Sequence, residues 1–310
     1  MRAFYCDHFV LPLPDGHRFP MAKYRLLRER VVADGIVAPD DLIEPAPAEW
    51  DDLRLVHTPE YVDGVAQGTL PREIQRGIGF PWSEAMVERA RRSVGGTIAA
   101  ARAALEDGVA ANLAGGTHHS FAHRGEGYCV FNDIAVAARV LLRERQITHA
   151  LVVDLDVHQG NGTAAIFATE PAVFTFSMHG ASNFPFRKET SDLDVALPDG
   201  VEDEEYLARL GQQLPALVEQ HRPDLVFYLA GADPYEGDRL GKLKLTVDGL
   251  RARDALVFDT CEAAGLPVAV SMGGGYAPDV DAIVRIHANT LREAASRGRS
   301  ASTVIATTTA

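Results

Sequence analysis

The sequence predicts an α/β fold: a mostly parallel central sheet with helices on both faces, in a single domain. Three observations carry this expectation. Short apolar runs rich in Val, Leu and Phe alternate with longer stretches of helical character, and strict alternation implies parallel strands joined by crossovers. Polar and glycine-rich residues follow the apolar runs, strand after strand. No Ser/Pro/Gly-rich linker divides the 310 residues, and no internal repeat is present.

Taken in order, a first strand is expected at 2–5 and a helix at 21–33. The richest proline stretch, "APDDLIEPAPAEW" at 38–50, reads as a surface loop. A helix at 83–107 opens on Ser83 as N-cap, and its stripe Val94, Ile98, Ala101, Leu105 is core-facing. Strands are expected at 110–114, 150–155, 172–177, 224–230 and 267–272, with helices at 132–144, 203–220, 247–263 and 279–296. The domain is expected to span 1–298. The tail at 299–310 continues a stretch without helical period and is expected to be disordered.

Thirty basic against 43 acidic residues give a net charge of −13, which repels a phosphate backbone and argues against nucleic acid as a partner. Cys6, Cys129 and Cys261 are odd in number and lack metal-type spacing, so no disulfide framework is expected and a reducing compartment is. With neither a signal-type apolar region nor a membrane span, the expected location is the cytoplasm.

In parallel sheets the ligand site lies beyond the carboxyl ends of the strands. Those ends read "GGTHHS" (115–120), "DLDVHQGNG" (154–162), "SMHG" (177–180), "AGADPYEGD" (230–238) and "MGGGY" (272–276). Charge at the end of the buried run "LVVDL" is costly unless something compensates it. Asp156 and His158 project to the same side of an extended chain, where one divalent ion could take both, with Asp233 as third ligand. Two carboxylates and one imidazole leave a position for water, the open coordination of a catalytic site. The tandem His118 and His119 suit general acid/base work, and Asp154 and Asn161 are available to orient one imidazole each. Tyr276, after three glycines, is a neutral donor for a developing oxyanion. His57 reads as a packing histidine. No Walker loop, dinucleotide fingerprint or G-x-S-x-G elbow is present, so the simplest nucleophile is a metal-bound water.

Together "GGTHHS", "DLDVHQGNG", "AGADPYEGDRLG" and "GGGY" resemble the zinc-dependent histone deacetylase family, whose three-layer fold is shared with arginases. The stretches "LRLVHTPEYV", "GIGFPW" and "EGDRLGKLKLT" look like its class IV branch and bacterial relatives, and the similarity runs from about 17 to 290. The resemblance implies Asp156, His158 and Asp233 as zinc ligands, Fe2+ suiting the same set. It implies His119 as general base and acid, His118 as its electrostatic partner bonded to Asp154, and Asn161 bonded to His119. Tyr276 would donate to the substrate carbonyl. Gly127 and Tyr128 would wall an acyl-lysine tunnel, opposite Phe184 or Phe186. Gly274 would accept the substrate amide proton. A structural potassium ion would sit among Asp154, Asp156, His158, Ser177 and Met178. The implied activity is removal of acyl groups from N-ε-acyl-lysine in a protein or peptide. The alternatives are an acetylpolyamine amidohydrolase, whose cationic substrate would suit the acidic surface, and a non-catalytic acyl-lysine-binding module. An arginase-like pair of metals would need carboxylates where Asn161 and Gly231 stand. Acyl chain length and oligomeric state are left open.

Overall fold

The apolar runs assemble into one eight-stranded sheet in the computed structural model, which describes residues 1–297 apart from 12 and 15; the tail at 299–310 lies outside the described residues. In chain order the strands are β1 (Ala3–Phe4), β2 (Leu42–Ile43), β3 (Val109–Asn112), β4 (Ala150–Asp154), β5 (Val173–Gly180), β6 (Leu193–Leu197), β7 (Leu225–Ala230) and β8 (Val268–Met272). They lie side by side as β2-β1-β3-β8-β7-β4-β5-β6, and every strand pair is parallel. All strand carboxyl ends therefore face one edge.

The strands are apolar on both faces because both faces are covered. On β4, Leu151 and Val153 enter one core while Ala150 and Val152 enter the other; on β7, Val226, Tyr228 and Ala230 alternate likewise with Leu225, Phe227 and Leu229. The first core is closed by α1 (Ala22–Ala33), α8 (Asp203–His221), α9 (Val247–Ala263) and α10 (Val280–Ala295). The second is closed by α3 (Pro59–Gln67), α5 (Glu84–Asp107) and α6 (Asp133–Arg143). Shorter helices are α2 (Trp50–Leu53), α4 (Arg72–Ile78) and α7 (Asn161–Phe167). Ser83 caps α5 as expected, its hydroxyl accepting the Met86 N–H at 3.1 Å, and Asn132 caps α6 through the Ala135 N–H at 3.0 Å.

The expected strands and helices are all present within two or three residues. The proline-rich stretch needs correction. It is not wholly a surface loop: Leu42 and Ile43 pair with Ala3 and Phe4 as the edge strand β2.

Candidate active site

Asp156 and His158 follow β4 and Asp233 follows β7, its hydrogen-bonded neighbour, so sheet pairing alone brings the three side chains together. All three are buried, and one ligand atom from each lies within 4.8 Å of the others. His158 Nδ1 stands 2.9 Å from Asp156 Oδ1 and 3.1 Å from Asp233 Oδ2. The outer oxygens are also held. Gly274 N–H donates to Asp156 Oδ2 at 2.7 Å, and Val157 N–H donates to Asp233 Oδ1 at 2.9 Å. Two carboxylates converging on one imidazole nitrogen are a donor set that fits a divalent ion. Without one, burial and Asp156's charge push Asp233 up to about 7. Burial opposes the charge on His158, but its bonds to Asp156 and Asp233 outweigh that and raise it to about 10. Among the described residues this is the one group of three or more such side chains close enough to share an ion.

The histidine pair enters from the loop after β3, its rings 4.1 Å apart. His118 Nδ1 meets Asp154 Oδ2 at 2.7 Å, and His119 Nδ1 donates to Asn161 Oδ1 at 2.7 Å, which leaves His119 Nε2 as its basic nitrogen. The two titrate in opposite directions. For His118 burial opposes the charge but Asp154 more than offsets it, raising it to about 9. For His119 burial, then the positive charge on His118 and His158, hold it well below its ordinary value. One imidazole is thus a cation and its neighbour a free base near pH 7.

His119 and His158 reach the floor of a cleft of about 740 Å3 whose walls include Gly127, Tyr128, Phe184, Phe186 and Tyr276. The two phenylalanines differ in exposure. The Phe184 ring sits edge-on to His119, 4.9 Å between centroids, whereas Phe186 is 88% exposed at the mouth. Tyr128 holds φ of 69°, its N–H donating to Ile78 O at 2.8 Å, so the C-terminus of α4 sets this wall. Burial, with the charges on Asp233 and Asp156, keeps the Tyr276 phenol well above its ordinary pKa and therefore protonated. Asp154 and Ser177, two of the residues expected at a potassium site, are register partners on the neighbouring strands β4 and β5.

Gly274 does not take the place expected of it. It is absent from the cleft wall, its N–H is taken by Asp156, and its carbonyl accepts the Ala232 N–H at 2.9 Å. A Cβ there would collide with Asp233 Oδ2, so any side chain would displace that carboxylate.

With this geometry in hand, comparison with known proteins is decisive: the histone deacetylase domain matches residues 17–292. The chain belongs to the histone deacetylase family. It is 50% identical over 283 residues to an uncharacterised protein of Picosynechococcus, covering 91% of this chain and 94% of that one. It is 33% identical over 269 residues to Histone deacetylase 2 of Arabidopsis thaliana, covering 84% and 70%. A solved histone deacetylase homologue from Aquifex aeolicus matches with a TM-score of 0.81 at 25% identity, covering 96% of this chain and 84% of that one. Membership makes the chain a deacetylase-type amidohydrolase acting on acylated substrates. Among the described residues no helix is long and apolar enough to cross a membrane.

Four residues that brace these side chains take their role from contacts between distant segments. Asp133 at the start of α6 accepts from Gly116 N–H, Thr117 N–H, and the Thr117, Thr97 and Ser271 hydroxyls, fixing the loop that presents the histidines. Arg253, fully buried on α9 beside Asp254, donates to Leu155 O at 3.3 Å and Gly231 O at 2.6 Å, joining the strand ends that carry Asp156 and Asp233. Asp238 accepts the Tyr276 N–H at 2.6 Å. Lys23, buried on α1, reaches Gly273 O at 3.4 Å and faces the Tyr276 ring at 5.5 Å. Each looks like an ordinary charged residue until distant segments meet around it.

Proposed function

We propose that this deacetylase hydrolyses N-ε-acyl-lysine side chains, with Asp156, His158 and Asp233 as ligands of one zinc or ferrous ion. A divalent ion held there supplies Lewis acidity to a carbonyl and lowers the pKa of a water. The observation that carries the reading is geometric: His118 is paired with Asp154 and His119 with Asn161, each at 2.7 Å, beside the buried carboxylate–imidazole trio. His119 takes the proton of the attacking water at Nε2 and returns it to the departing amine nitrogen. His118, charged through Asp154, stabilises negative charge developing nearby, and Asn161 holds His119 in the required tautomer. The Tyr276 hydroxyl donates to the carbonyl oxygen as that oxygen gains charge. Tyr128 and Phe184 flank the lysine methylenes. Gly127, which lines the cleft where Gly274 does not, offers its carbonyl to the substrate amide.

The mouth favours acyl-lysine over acylpolyamine. Arg76, Arg124 and Lys242 line it against Glu73 and Glu126, so the acidity of the whole chain is not concentrated where a polyammonium would enter. An arginase-like metal pair is disfavoured because Asn161 is engaged by His119, and a Cβ on Gly231 would lie 2.6 Å from the Asp156 Cα. We assign Asp154, Asp156, His158, Ser177 and Met178 to a potassium site, residues 1–298 to one catalytic domain, and the buried unpaired cysteines to a reducing, cytoplasmic setting.

The test is amine release from acyl-lysine peptides, acetyl through myristoyl, alongside N-acetylputrescine, with Asp233→Ala as blank. Metal-dependent turnover of a peptide is expected, and Tyr276→Phe should lower kcat by roughly 10²–10³. Turnover of the polyamine alone, or undiminished turnover by Tyr276→Phe, would reject the assignment.

A further inference from the structure

The loop that carries Tyr276 has little intrinsic rigidity. Three glycines precede the tyrosine, and Gly275 holds φ of +147°, which L side chains rarely adopt. Among the described residues the Tyr276 hydroxyl makes no hydrogen bond, so the ring is located by its packing against Lys23, Phe19 and Tyr128 and by the ties of its backbone. Two earlier positions of the loop are tied to the sheet end, Gly273 N–H to Ala230 O at 3.2 Å and Gly274 N–H to Asp156 Oδ2. At Tyr276 itself the tie is one side chain. Asp238 Oδ2 accepts the Tyr276 N–H at 2.6 Å, while Oδ1 accepts the N–H groups of Leu240 and Gly241 at 2.7 and 2.9 Å. Asp238 therefore fastens the tyrosine loop to the segment that supplies Leu240 to the cleft wall.

We propose that Asp238 is a positioning residue for the deacylation reaction. It holds the Tyr276 backbone so that the phenol reaches the reacting carbonyl. The proposal rests on the role given to Tyr276 above. A carboxylate suits the task because it accepts on both oxygens at once, and its hydrogen bonds to N–H groups are charge-assisted.

Asp238→Asn is the discriminating substitution. It keeps one oxygen for Leu240 and Gly241 but turns an NH2 toward the Tyr276 N–H, two donors facing one another. In the full-length protein kcat on an acyl-lysine peptide should fall about 10- to 100-fold with KM within about twofold. The Co2+ dissociation constant should not move. In the Tyr276→Phe background the same substitution should cost less than about twofold, because the hydroxyl it positions is already gone. An equal loss in both backgrounds, a weakened Co2+ site, or an undiminished kcat would overturn the proposal. If the unsubstituted protein turns over no acyl-lysine peptide, the functional reading fails first and Asp238 has no such reaction to serve.

Discussion

His57 shows what one buried imidazole commits the protein to. Its Nδ1 donates to Phe121 O at 3.0 Å and its Nε2 accepts the Asn132 N–H at 3.0 Å, so both nitrogens are used and only the neutral ring satisfies both partners. Asn132 caps α6 and Phe121 follows the paired histidines, so this packing residue also braces the site. Burial pushes its pKa down from 6.5 to about 4. Below pH 6.5 the unfolded chain binds a proton that the folded protein refuses, so stability is lost as pH falls through this window. At ~1.4 kcal/mol per unit, the loss attributable to His57 between pH 7 and pH 5 is about 2 kcal/mol. Urea unfolding at the two pH values should find that much less acid sensitivity in His57→Gln than in the unsubstituted protein. Equal sensitivity would mean that His57 does not carry the effect.

At the scale of elements, legibility followed burial and length. The long helices and central strands were visible because each shows a full helical period or a dense apolar run. The two-residue β2 and the half-exposed edge strand β6 show neither, and α4 and α7 are seven residues each with a glycine inside. The carboxylate–imidazole trio and the paired histidines were legible because they stand just beyond the ends of central strands. The groups that brace them were not, because their meaning depends on contacts between segments far apart in sequence. Arg253 is the clearest case, since nothing in "LRARDALVF" says that one arginine reaches two strand ends. Its planar fork spans two carbonyls while pairing with Asp254, whereas a lysine would keep the charge but lose the fork. Arg253→Lys should therefore raise the Co2+ dissociation constant about tenfold, as outer supports of metal sites do. A lowered apo-protein Tm with unchanged metal affinity would assign Arg253 to stability alone.

For the whole molecule, fold class was readable because parallel pairing and two covered faces follow from strand–helix alternation, whereas the spatial order of strands did not. That order gives the site its consequence for stability. β4 and β7 are neighbours although 70 residues of chain separate Asp154 from Leu225, so Asp156 and His158 are joined to Asp233 across a long crossover. An ion bound by all three ties together segments that the unfolded chain does not hold in proximity, and so binds the folded state preferentially. Free metal at 100 times its dissociation constant should then add about 3 kcal/mol to stability, raising Tm by about 5 °C for a chain of this size. Thermal unfolding of chelator-treated protein with and without added Zn2+ measures this directly. Asp233→Ala should show no such rise, because two ligands remain on a single segment. An equal rise in both proteins would place the stabilising ion elsewhere and separate metal binding from the trio.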